Sequence, residues 1–67
     1  MMNKIKIVSS SELSKVLDAP HSNRGLYLSM ESNRIDIVLV ACDNSTGDAW
    51  LEEFYSTKDA MRWLERA

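Results

Sequence analysis

Chemically capable side chains gather in one stretch of this chain, Cys42 to Phe54, which reads CDNSTGDAWLEEF. Oxygen ligands at such density could hold a hard cation, and the glutamates behind them could transfer protons. A calcium loop of the helix-flanked type needs glycine at its sixth position and a bidentate glutamate at its twelfth. Setting Gly47 sixth and Glu53 twelfth makes Cys42 the first ligand, where a thiol cannot supply the hard oxygen required. Starting at Asp43 instead shifts Gly47 to the fifth position and Asn44 to the second. Both registers fail, so the stretch is expected to be a hairpin loop shaped by Asp, Asn and Gly, and no metal is expected.

Paired-carboxylate catalysis needs two acids held in a shielded cleft with different pKa values. Glu52 and Glu53 are adjacent on a predicted strand and point to opposite faces, so they do not form such a pair. Their presence fits an edge strand whose charges discourage edge-to-edge aggregation. His21 and Cys42 are the remaining base and nucleophile, but a triad also needs an oxyanion hole and a cleft. His21 in its proline-containing loop reads as a surface residue, and Cys42 at the end of an apolar run reads as a small buried hydrophobe. Gly25 and Gly47 are the only glycines, too few for a phosphate-cradling loop. The expectation is a chain with no catalytic residue and no cofactor.

The elements around these residues are legible from period and caps. Lys4-Ile5-Lys6-Ile7-Val8 alternates as a half-buried strand does. Ser9 and Glu12 form a capping-box pattern with Val8 and Leu13 placed as the hydrophobic staple. Leu13, Val16 and Leu17 continue one helical face until Pro20 stops it. Residues 19–25 read as a loop, residues 26–30 as a strand, and residues 34–42 as a β-branched strand. A two-residue Ser32-Asn33 turn would set Leu26, Leu28 and Met30 opposite Leu39, Ile37 and Ile35. It would also pair Glu31 with Arg34 and Tyr27 with Val38. Residues 49–55 supply a third meander strand. Ser56, with Asp59 three residues on, caps a last helix whose face is Ala60, Trp63, Leu64 and Ala67. The expected fold is α+β, a single domain over residues 1–67 in the order β-α-β-β-β-α. Its antiparallel sheet has three strands, or four if the first joins, and both short helices pack on one face.

A chain of 67 residues buries one modest core, and its single cysteine excludes an internal disulfide. The lone thiol and the lack of a signal-type start lead to the expectation of a cytoplasmic protein. The longest apolar run, residues 37–42, is far too short to span a bilayer.

Net charge is −2, but residues 35–57 hold five acids and no base: Asp36, Asp43, Asp48, Glu52 and Glu53. That argues against wrapping nucleic acid and favours a basic partner surface. Lys4, Lys6, Lys15 and Arg24 are the weaker basis for a nucleic-acid reading. With both helices on one face, Tyr27, Val38 and Val40 would lie on an open second face. Tryptophan is enriched where interfaces are energetically decisive. The functional expectation is a non-catalytic binding module contacting a larger protein through Asp43, Asp48, Glu52, Glu53, Tyr27 and Trp50. In size and charge it matches small inhibitors of the phage or mobile-element type, an analogy that carries no information about fold. The alternative is a homo-oligomeric structural or regulatory subunit joined through the second sheet face or an open edge.

Overall fold

The computed structural model describes residues 4–32 and 36–66. The element order is β1 (Ile5–Val8), α1 (Ser10–Asp18), a 3-10 turn (Pro20–Ser22), β2 (Gly25–Ser32), β3 (Ile37–Asn44), β4 (Trp50–Phe54) and α2 (Thr57–Glu65). The four strands form one sheet in the order β1-β2-β3-β4. β1 does join the sheet, and it runs parallel to β2, whereas β2, β3 and β4 form the antiparallel meander. The sheet is therefore mixed, which corrects the all-antiparallel expectation. Parallel neighbours cannot be joined by a tight turn, so the chain must cross a sheet face between them, and α1 makes that crossing.

This crossing also decides where the helices lie. Leu13 and Val16 of α1 pack with Tyr27, Val40 and Cys42, with Val8, Leu17 and Ala49 at the margin. Ala60 and Leu64 of α2 pack with Leu26, Leu28, Leu39 and Ala41, joined by Ile5, Phe54, Met61 and Trp63. These two sets of sheet residues alternate along β2 and β3, so the helices cover opposite faces. The expectation of both helices on one face is corrected. Leu26 to Ser29 and Leu39 to Cys42 are buried without interruption, the pattern of strands covered on both sides.

The β2–β3 register pairs Leu28 with Ala41, Met30 with Leu39 and Ser32 with Ile37. Leu26, Leu28 and Met30 do share a face with Leu39 and Ile37. Each partner, however, lies four residues further along β3 than a two-residue turn implies: Tyr27 meets Cys42 and Glu31 meets Val38. A shift by an even number keeps every side chain on its face, so burial cannot distinguish the two registers. The pairings expected for Arg34 and Ile35, the role of Asn33 in the turn and the position of Ala67 lie outside the described residues.

The caps form as their residue types dictate. The Ser9 hydroxyl accepts the Glu12 amide at 3.1 Å, and the Glu12 carboxylate accepts the Ser9 amide at 3.0 Å. The Ser9 contacts hold the exposed Glu12 carboxyl below its usual range. The Ser56 hydroxyl accepts the Asp59 amide at 3.3 Å at the start of α2.

Candidate functional site

β4 closes one side of the sheet, and the acidic and aromatic residues are distributed around it. Pairing of Asp43 with Trp50, Ala41 with Glu52 and Leu39 with Phe54 sets Trp50, Glu52 and Phe54 on the α2 face. Leu51 and Glu53, paired with Cys42 and Val40, lie on the α1 face. The opposite orientation of Glu52 and Glu53 is as the sequence implies. Both are exposed because β4 is an edge strand, as expected.

Trp50 is 67% exposed. With Asp43, Trp63 and Arg66 it lines an open groove of about 320 Å³. A second groove of about 260 Å³ continues along α2, lined by Phe54, Asp59, Arg62, Trp63 and Arg66. Trp63 and Arg66 are common to both, and Trp63 is half-buried, with its ring tilted 51° to Phe54 at 6.0 Å. On the α1 face a third groove, about 330 Å³, lies between Glu31, Ser32, Val38 and Glu53. Two carboxylates thus flank one valine. Glu31 comes from β2, and only the observed register brings it near Glu53, so no local pattern in the sequence could have placed it in the site.

Tyr27 does not belong to this surface. It is 5% exposed under α1, and its hydroxyl donates to the Asn23 carbonyl at 2.8 Å. The expectation of Tyr27 on an open face is corrected, and so is that of an open Val38 and Val40 row, since Val40 is buried beneath α1. An exposed tyrosine does exist, Tyr55, just beyond β4.

The stretch that suggested metal chemistry is the hairpin connection between β3 and β4. The Asp43 carboxylate accepts the Ser45 amide at 3.1 Å and its hydroxyl at 2.7 Å, and Asp48 accepts the Thr46 hydroxyl at 3.2 Å. Among the described residues, no three His, Cys, Asp or Glu side chains gather as a metal site would require. Asn44, fully buried, organises the loop. Its Nδ2 donates to the Pro20 and Asn23 carbonyls, both at 2.8 Å, and its Oδ1 accepts the Ala49 amide at 3.0 Å. It therefore joins the hairpin to the segment between α1 and β2, a role that its position inside a polar run concealed.

Gly47 has φ +90°, and a β-carbon there would come within 2.9 Å of the His21 imidazole. His21 is exposed on its other side and packs on this glycine. Cys42 is fully buried between α1 and the sheet, and burial pushes its thiol pKa up, with the Asp43 carboxylate adding to the rise. A buried, protonated thiol is a poor nucleophile. Lys4 and Lys6 lie at the β1 edge, Lys15 on α1 and Arg24 just before β2, with the Lys6 ammonium 5.9 Å from the Tyr27 ring centre.

No described helix is long and apolar enough to cross a membrane. No family model matches the chain, no curated protein matches its sequence, and no solved structure matches its fold.

Proposed function

We propose that the chain is a non-catalytic protein-binding module that docks on a basic surface of a larger protein and regulates or occludes it. The contact surface is the acidic and aromatic one around β4: Asp43, Asp48, Glu52, Glu53 and Trp50, extended by Glu31 and Tyr55. The observation that carries this reading is the exposure of Trp50 at an edge strand bordered by carboxylates on both faces.

A large indole left in water is a ready anchor for a partner pocket, and the surrounding acids steer a basic partner and fix its orientation. The groove between Glu31 and Glu53 is suited to a lysine or arginine side chain. The groove along α2 between Phe54 and Trp63 is suited to an apolar or aromatic one. Presenting carboxylates where a nucleic acid would otherwise bind is one way such a module inhibits.

Asp48→Lys combined with Glu53→Lys is expected to weaken binding to the partner by at least about tenfold at low salt, or about 1.4 kcal/mol. The loss should shrink as salt is raised. Both side chains are exposed, so circular dichroism should be unchanged. Equal affinities at low salt, measured by titration calorimetry, would remove the electrostatic basis of the proposal.

A further inference from the structure

The sheet ends in two edges of opposite charge. β1 presents exposed Lys6, with Lys4 just before it, and β4 presents exposed Glu52 and Glu53. Among the described residues none of the four has an ion-pair partner. Charged edges normally prevent strand pairing between copies, but that protection works only when the edges that meet carry the same sign. Here the β4–β4 pairing of two copies about its central residue sets Glu52 against Glu52, and a β1–β1 pairing about Lys6 sets Lys6 against Lys6. β4 against β1 brings opposite charges together.

The geometry of the sheet allows that combination. β1 and β4 run in the same direction, because β1 is parallel to β2 and two antiparallel steps follow. A second copy can therefore continue the sheet as a parallel neighbour without being turned over, keeping each face on its own side. In the register that sets Lys6 beside Glu53 on the α1 face, Ile7 falls beside Phe54 on the α2 face. Ile7 is 73% exposed in the single chain, although its strand partner Leu28 is buried. α2 packs chiefly over β3 and β4, so along β1 on that face Ile5 is half-buried while Ile7 stays in water. The missing cover would come from the flank of the neighbour's α2, where Phe54 and Trp63 lie.

We propose that copies of this chain associate head to tail, the β4 edge of one pairing with the β1 edge of the next. The contact is heterologous, so it extends into an open assembly or closes into a ring of three or more, and the strand twist makes an open assembly helical. It goes beyond the binding of a larger partner and requires none, although both interactions use β4 and would compete for it.

The test is sedimentation equilibrium on the purified protein alone over a range of concentration and salt. The average mass is expected to rise past twice the 7.6 kDa of one chain at low salt and to fall as salt is raised. Lys6→Glu and Glu53→Lys should each return it toward a single chain. The double variant, with the charges exchanged between the edges, should restore association. A single chain at every concentration, a closed dimer, or a mass indifferent to both reversals would overturn the proposal. Should either variant fail to fold by circular dichroism, the salt series on the unaltered protein decides it: a salt-independent mass refutes the charge-matched contact.

Discussion

The side chain on which the loop around the candidate site depends most is Asn44, and it looked least like a functional residue. Its amide satisfies two carbonyls and one amide of the backbone, from segments more than twenty positions apart as well as from its own hairpin. Removing it takes the partner from the Ala49 amide, the expensive direction for a hydrogen bond, and leaves the Pro20 and Asn23 carbonyls with only the Asn23 amide and the Tyr27 hydroxyl. Asn44→Ala is expected to lower stability by about 2 kcal/mol, read from urea unfolding. A loss below about 1 kcal/mol would mean that the loop is held by other contacts.

Cys42 gives a pH dependence at the same scale. Its thiol holds a proton more tightly in the folded than in the unfolded chain, because burial disfavours the thiolate. The resulting stability is complete below the unfolded thiol's pKa and is lost as pH rises through the folded one. Urea unfolding should show a decline toward alkaline pH that is shallower in Cys42→Ala; identical slopes would contradict this. The burial of Cys42 was legible from the apolar run before it. The fate of Tyr27 was not, since alternation assigns a face without revealing whether that face is covered.

Among the elements, those written in local patterns were the legible ones. The capping box at α1 can be read from Ser9 and Glu12 alone because all its partners lie within four residues. Ser9→Ala is expected to cost about 1 kcal/mol, measurable as a lowered thermal midpoint. The depressed Glu12 pKa adds a pH signature: this contribution is present above the unfolded carboxyl's pKa and is lost as pH falls through the folded one. An unchanged midpoint in Ser9→Ala would show that tertiary packing alone holds the helix.

The direction of β1 and the side occupied by α2 are not local properties. Four residues of β1 alternate in the same way whether they pair parallel or antiparallel, and a helix stripe does not specify which sheet face it meets. One cue was available: the unbroken apolar run through Leu39 and Cys42 is typical of a strand buried on both faces, and it pointed to a helix on each side. The connection between β2 and β3 misled for a related reason. A four-residue shift left the hydrophobic pattern intact, so the pattern could not reveal it.

For the molecule as a whole, opposite placement of two short helices leaves each sheet face half covered. The uncovered halves lie diagonally, one beside β1 on the α2 face and one beside β4 on the α1 face. The candidate contact surface follows from this arrangement, since α2 reaches β4 but leaves Trp50 in water, and Leu51 and Glu53 lie beyond the reach of α1. Asp43, Trp50, Glu52 and Glu53 were legible as a cluster because they are close in sequence. Glu31 was not, because the sheet alone joins it to them.

The central claim is that this surface holds a larger protein, and parallel capture tests it most directly. Tagged wild-type protein and Trp50→Ala are incubated with nuclease-treated lysate of the cell that makes the chain, and bound proteins are quantified by mass spectrometry. The expected result is one protein in stoichiometric amount on the wild type, reduced at least about tenfold on Trp50→Ala, in the range of an interface hot spot. No protein above background on the wild type, or the same protein recovered equally on both, would contradict the account.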